Sequence, residues 1–179
     1  MTETRRRQLL WLFATFLVIV AVDQITKEYI IRTIPQGSVT FVGREEEFIF
    51  LTHERNTGLV GGMFRDYPAV GYVAPIAATL VLLYLFRHLD PASRFQILAY
   101  GMILGGAVGN LIDRFRLGSV TDFIQVHFHF VPFDFPWKRY PAFNVADSAI
   151  CVGVVLLIIC WHRMERKRQQ EQASAPHPD

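Results

Sequence analysis

Apolar and polar residues in this chain fall into long blocks. Leu9 to Ile31 is an almost unbroken apolar run, and Ala69 to Phe86, Phe95 to Leu111 and Ala146 to Trp161 are three more. A helix needs about 20 apolar residues to cross the hydrocarbon of a bilayer. The blocks therefore predict transmembrane helices over about 9–31, 69–86, 95–113 and 143–161. Arg5-Arg6-Arg7 before the first run resembles the start of a signal peptide, but no A-x-A-like cleavage site follows, so the run is expected to be a retained helix. Pro75 is expected to kink the second helix.

The segments between the runs differ in character. Residues 32–68 are polar and mixed, with a turn signal at Pro35-Gln36-Gly37 and strand formers at Phe48-Ile49-Phe50-Leu51. In residues 114–142, Val126 to Val131 alternates as a strand does, with His127 and His129 on one face. The expected fold is an all-α integral membrane protein of four transmembrane helices with a small β-containing extracytoplasmic subdomain. Residues 87–94 form a short basic turn, and the tail beyond His162 is basic and then rich in Gln and Pro. Residues 169–179 are expected to be a disordered cytoplasmic tail behind a single domain spanning 1–168.

Dense basic clusters mark the cytoplasmic side of a membrane protein. Here they are the N-terminus, the 87–94 turn and the tail, which puts both termini in the cytoplasm and loops 32–68 and 114–142 outside.

Composition narrows the classes further. The chain has 179 residues, 51% of them hydrophobic and 19% charged, so one apolar domain is expected. A net charge of +2 with no recurring basic face excludes a nucleic-acid partner. Cys151 and Cys160 lie too far apart along one helix to bridge and read as packing residues. No His/Glu motif or Gly-rich phosphate loop implies a metal or cofactor, and the His127/His129 face is more readily an interfacial strand than a metal site.

Polar residues inside the apolar runs carry the chemistry. Gly101, Gly105 and Gly109 recur every four residues, a stripe that lets another helix come close. Asn110, Asp113 and Arg114 follow on one side of the helix end, and Leu117-Gly118-Ser119 breaks it before Asp122. Asn144 and Asp147 stand three residues apart at the start of the last run. Asp23 and Lys27, at i and i+4, read as an internal ion pair with Lys27 snorkelling outward. Intramembrane carboxylates are costly without a partner or a task. They leave three classes open: a paired-aspartate enzyme, a proton- or cation-relaying transporter, and a scaffold whose polar groups join helices. Clustering toward one surface and the lack of an internal repeat weigh against the transporter.

Five boxes in order carry a resemblance across nearly the whole chain: DQITK (23–27), RNTG (55–58), GGAVGNLIDR (105–114), VTDF (120–123) and FNVADSAI (143–150). The chain thereby resembles the lipoprotein signal peptidases (signal peptidase II), aspartyl proteases of bacterial cytoplasmic (inner) membranes. The resemblance implies Asp122 and Asp147 as the catalytic pair. It implies Asn56, Asn110, Asp113, Arg114 and Asn144 as substrate-binding or supporting residues, and Asp23 with Lys27 as structural ones. It also implies the substrate, prolipoproteins carrying diacylglycerol on a cysteine and cut on its N-terminal side at the outer membrane face. Inhibition by globomycin-type cyclic peptides and contact with membrane lipid follow from it too, and no cofactor does. The chain departs from the family's usual Ala-Ala-Phe after the second box, with Leu59-Val60-Gly61-Gly62-Met63-Phe64 in its place.

Such a dyad would share one proton, because two like charges a few ångströms apart do not both ionise easily. The ionised member takes a proton from the attacking water and the protonated one donates to the amide oxygen.

Overall fold

The computed structural model describes residues 3–41, 48–59, 63–64, 66–85, 93–135 and 138–174. The 87–92 part of the basic turn, Val60 to Gly62 and the last tail residues, 175–179, lie outside the described residues. Described are four helices, α1 (Glu3–Thr33), α2 (Pro68–Leu85), α3 (Arg94–Leu117) and α4 (Val145–Ser174). With them stand three strands, β1 (Val39–Phe41), β2 (Ile49–Asn56) and β3 (Val120–Val126). The chain is thus mostly helical with one small sheet. Three helices, Arg5–Thr33, Arg94–Leu117 and Val145–Ala173, are long and apolar enough to cross a membrane, and Ala69–Tyr84 is a shorter apolar helix.

Helix α3 is the centre. It packs chiefly on α4 and α1, and less on α2. The glycine stripe is the reason the helices come so close. A Cβ on Gly101 would lie 2.7 Å from Thr15 Cβ, and one on Gly105 2.8 Å from Ile19 Cβ, so that face belongs to α1. Gly106 and Gly153 do the same between α3 and α4. By contrast α1 and α4 turn Leu10, Phe13, Leu17, Val18, Val155 and Ile158 outward. A buried middle helix between two with exposed apolar faces is the arrangement a lipid solvent permits.

Local signals set the ends of α3. Ser93 caps its start, accepting from Gln96 N, and Gly118 ends it with φ 72°, donating its N–H to Arg114 O at 3.0 Å. That left-handed turn is cheap only for glycine. Two residues later β3 begins. Pro75 sits inside α2 without ending it.

The sheet has the antiparallel order β1-β2-β3. Asn56 pairs with Val120 and Glu54 with Asp122, so β2 delivers Asn56 beside the start of β3. The sheet lies over the end of α1, where Phe123 packs with Ile30 and Ile34, and Leu51, Ile124 and Val145 close around them.

Three expectations change. The strand expected from Val126 to Val131 lies earlier, at Val120–Val126. Val120, Thr121, Ile124 and Val126 find the edge of β2, whereas the chain beyond His127 pairs only through single bridges and turns. Lys27 does not snorkel outward. It is 1% exposed and points into the bundle, where two carboxylates draw it. The tail expected to be disordered from 169 continues α4 to Ser174. Good helix formers and the Lys167–Glu171 pair sustain it.

Candidate active site

The first turn of α4 brings backbone and side chain together at one point. Asn144 Oδ1 accepts the Asp147 N–H at 2.9 Å, and Asp147 Oδ2 accepts the Asn144 N–H at 3.2 Å. This reciprocal pair is a capping box, and it fixes the Asp147 carboxylate at a helix N-terminus, where a negative charge is favoured. Asn144 is therefore the residue before the helix, not part of its first turn as the apolar run suggested.

Asn144 also reaches the other carboxylate. Its Nδ2 donates to Asp122 Oδ1 at 2.8 Å and to Asn110 Oδ1 at 3.1 Å. Asp122 Oδ2 accepts from Asn56 Nδ2 at 3.0 Å, and Asp147 Oδ1 accepts from Asn110 Nδ2 at 2.8 Å. Three asparagine side chains thus ring the pair. Asp122 is only 3% exposed. Burial pushes its carboxyl up to about 7 and the charge of Asp147 pushes the same way, while the Asn56 and Asn144 amides pull it back.

Behind the amides stands a charged layer. Lys27 Nζ lies 2.9 Å from Asp23 Oδ2 and 3.5 Å from Asp113 Oδ2, and donates to Asn110 Oδ1 at 2.8 Å. Asp23 Oδ1 accepts the Ala146 N–H at 3.0 Å, tying α1 to the start of α4. Asp113 Oδ2 accepts the Thr121 N–H at 2.9 Å, tying α3 to the strand that carries Asp122. Asp113 thus pairs with Lys27 and holds β3. Arg114, its neighbour in sequence, turns elsewhere.

Arg114 Nη2 donates to Gly58 O at 2.8 Å, and Tyr72 Oη donates to Arg114 O at 2.9 Å. These bonds fasten the Thr57–Leu59 loop between α2 and α3. Its Nε is buried and has no hydrogen-bond partner. In the atypical segment after that loop, the Leu59 N–H donates to Met63 O at 2.7 Å, and Phe64 adopts a left-handed φ of 58°.

Nine residues stood out in the sequence: Asp23, Lys27, Asn56, Asn110, Asp113, Arg114, Asp122, Asn144 and Asp147. The structure draws eight of them into one network, and Arg114 joins it only through Gly58, whose N–H donates to Asn56 Oδ1 at 3.0 Å. Gln24 was missed. Its Nε2 lies 3.1 Å from Asp23 Oδ2, Asp113 Oδ1 and Gly109 O, bridging α1 and α3. Its place in the first box was the available signal. Tyr72 was missed too, and nothing around it in an apolar run marked it. His127 and His129 do face each other, with ring centroids 5.3 Å apart, and His127 Nε2 meets Gln125 Oε1 at 2.9 Å.

A family model described as signal peptidase (SPase) II matches residues 15–163. A protein of Syntrophotalea carbinolica named lipoprotein signal peptidase is 38% identical over 161 residues, covering 87% of this chain and 92% of that one. Another of that name, from Bacillus subtilis, is 34% identical over 157 residues, covering 87% and 96%. Two solved structures described as bacterial membrane enzymes are similar in fold. One has a TM-score of 0.71 at 28% identity over 94% of this chain and 93% of the other. The second has a TM-score of 0.69 at 30% identity over 84% and 91%.

Proposed function

The chain belongs to the signal peptidase II family, and from that premise we propose that it is an aspartic endopeptidase that cleaves the signal peptides of lipoproteins with Asp122 and Asp147. One observation carries the assignment of the pair. A single residue, Asn144, binds both carboxylates, one through its side chain and the other through its backbone.

The chemistry follows from the surroundings. Asp23, Asp113, Asp122 and Asp147 are four carboxylates in one network with two cations, Lys27 and Arg114. Excess negative charge in a buried site favours keeping one proton. Asp122, the more buried and pushed up to about 7, is where it rests. Asp147 at the helix N-terminus is the ionised member. It takes a proton from water as the water oxygen attacks the peptide carbonyl carbon, while Asp122 gives its proton to the carbonyl oxygen. The tetrahedral intermediate then breaks its C–N bond, and the pair returns a proton to the departing nitrogen. The two titrations belong to the pair. Asn110, Asn56 and Asn144 keep the carboxylates oriented. Arg114 holds the Gly58 carbonyl, and with it the loop that follows Asn56. Asp113, Asp23 and Lys27 are supports.

The substrate would be a diacylglyceryl-modified precursor cut N-terminal to its lipidated cysteine. A site at the ends of apolar helices suits such a substrate, since its lipid and apolar signal helix can enter sideways. We read α2 as the fourth span, because its 18 residues reach about 27 Å, close to the hydrocarbon thickness. Four spans put the basic N-terminus and α4 end in the cytoplasm of a bacterial inner-membrane protein. The sheet and both aspartates then lie at the outer face, within a single domain ending near the basic stretch at 163–168.

The reading is tested with purified protein and a lipidated precursor. Release of an intact signal peptide is expected, together with inhibition and thermal protection by globomycin, since a ligand of the native state raises its melting temperature. No cleavage and no shift would return the chain to the transporter or scaffold class.

A further inference from the structure

We propose that the hairpin tip formed by residues 128–135 is seated in the outer leaflet at the boundary between headgroups and acyl chains, so that the bilayer itself is the partner of this surface. The inference rests on the four-span reading, with the sheet on the outer side.

The geometry begins with where β3 runs. Its middle lies over the end of α1, with Phe123 packed on Ile30 and Ile34, and His53 Nδ1 on β2 meets Ile34 O at 2.8 Å. From Phe123 the chain continues through Val126 to Phe128. At about 3.3 Å per residue that is on the order of 16 Å, more than the roughly 10 Å width of a helix. The tip therefore lies well past the part of β3 that packs on α1, and its Phe130 and Phe133 are exposed.

The tip is built to be held there. Tyr140 N donates to Val126 O and Phe128 N to Lys138 O, both at 2.8 Å, so a bridge of His127 with Arg139 joins the two arms. Val131 N to Phe128 O and Lys138 N to Phe135 O close turns within it. Backbone groups paired internally lower the cost of leaving water. Four of its eight side chains are phenylalanines, and its one carboxylate, Asp134, is paired to Lys138. Ring centroids are 5.9 Å apart for Phe128 and Phe130, 6.2 Å for Phe128 and Phe135, and 6.0 Å for Phe133 and Phe135. The outer members, Phe130 and Phe133, are 74% and 66% exposed. Phenyl rings set tilted and edge-on against one another, with the outer two exposed, form a patch that needs a partner.

The base of the hairpin names the partner. Lys138, Arg139 and Tyr140 stand there, with Lys138 paired to Asp134 at 2.9 Å and Tyr140 edge-on to Phe143. Apolar rings at the tip behind a collar of basic residues and tyrosine match the layers of a leaflet. Aromatic rings enter the acyl boundary, tyrosine sits among headgroups, and cations meet anionic lipid. Seated in this way, the hairpin fixes the height of β3, and with it Asp122, relative to the membrane plane.

The test uses spin labels on single cysteines at 130, 133 and, as a reference, 36, in protein carrying Cys151→Ser and Cys160→Ser. The protein is reconstituted in vesicles of neutral and anionic phospholipid, and only variants that still cleave a lipidated precursor are compared. At 130 and 133 we expect collisions with oxygen, which concentrates in lipid, to exceed those with a water-soluble nickel chelate, and the reverse at 36. A water-like signature at 130 and 133, with Gln36→Cys reached by a membrane-impermeant reagent from outside, overturns the hairpin proposal and leaves the topology standing. Protection of 130 and 133 from both colliders also overturns it, because a protein then covers the tip. If the impermeant reagent does not reach 36 from outside, the four-span reading fails and the hairpin proposal with it.

Discussion

Lys27 and Asn110 are joined across α1 and α3 by a 2.8 Å hydrogen bond, and the same asparagine donates at 2.8 Å to Asp147. A lysine of the first helix thus orients, through one amide, a carboxylate of the last. Removing the lysine strips Asp23 and Asp113 of their shared cation inside a buried site. Breaking a buried ion pair from one side costs about 3–5 kcal/mol. Lys27→Met, which keeps most of the volume, should therefore melt many degrees lower in detergent and lose cleavage with it. An unchanged melting temperature would mean that the lysine is not the counter-charge.

The α1–α3 contact should fail at its glycines. A Cβ on Gly105 meets Ile19 Cβ at 2.8 Å and the Phe16 carbonyl oxygen at 3.0 Å. Gly105→Leu should force the helices apart and lower both melting temperature and activity, and Ile19→Ala in the same chain should recover part of the loss. Gly37→Ala meets nothing within 4 Å and carries only the strain of its φ of +79°. It should cost on the order of 1 kcal/mol. Equal effects at the two glycines would contradict the packing account.

Asn144 does two jobs that can be separated. As the cap of α4 it accepts from Asp147 N, and as an amide it donates to Asp122. Serine caps helices about as well as asparagine but has no amide to reach Asp122. Asn144→Ser should keep the melting temperature within a few degrees of the parent, while cleavage falls on the order of 10²-fold, the scale of one lost oriented donor. Loss of stability equal to that of Asn144→Ala would mean that the amide, and not the cap that serine keeps, carries the residue's contribution to stability.

The proton on Asp122 gives a pH dependence with a definite sign. Its native carboxyl is pushed up to about 7 from an ordinary 3.8, so over that window the folded chain holds a proton the unfolded chain has released. This group's contribution to stability therefore falls as pH rises from about 4 to about 7 and is constant above. The melting temperature of Asp122→Asn minus that of the parent should grow across that window, and cleavage should decline as pH rises past 7. A difference that shrinks with rising pH would reverse the assignment.

How much of this was legible in the sequence follows from what each residue depends on. The helices were readable because lipid demands long apolar runs, and Gly118 marked the end of α3 because few other residues turn that way. Eight of the nine polar residues that stand out in the sequence lie in the network and Arg114 reaches it through Gly58, since charge in an apolar run stands out. Their partners were not readable. Lys27 was expected to snorkel outward, and only the packing of α1 on the glycine stripe brings Asp113 and Asn110 within its reach. Arg114 stands beside Asp113 in sequence, yet the helix turns it to Gly58 and Tyr72. The strand at Val120–Val126 was placed too late, because the box holding Asp122 reads as a site before it reads as a strand. Residues 169–174 continue α4 because their polar composition suits an exposed helix as well as a disordered end.

In the proposed mechanism Asp122 and Asp147 act together and Asp113 supports them, and single-turnover cleavage of a lipidated precursor decides between these roles. Asp122→Asn and Asp147→Asn should each fold, bind precursor and cleave on the order of 10⁴-fold more slowly. The double variant should be no slower than either, because the two act as one unit. Asp113→Asn should lose stability or precursor affinity while keeping a measurable rate. If Asp122→Asn retained a substantial rate while well-folded Asp113→Asn lost all of it, Asp113 and not Asp122 would be the partner of Asp147.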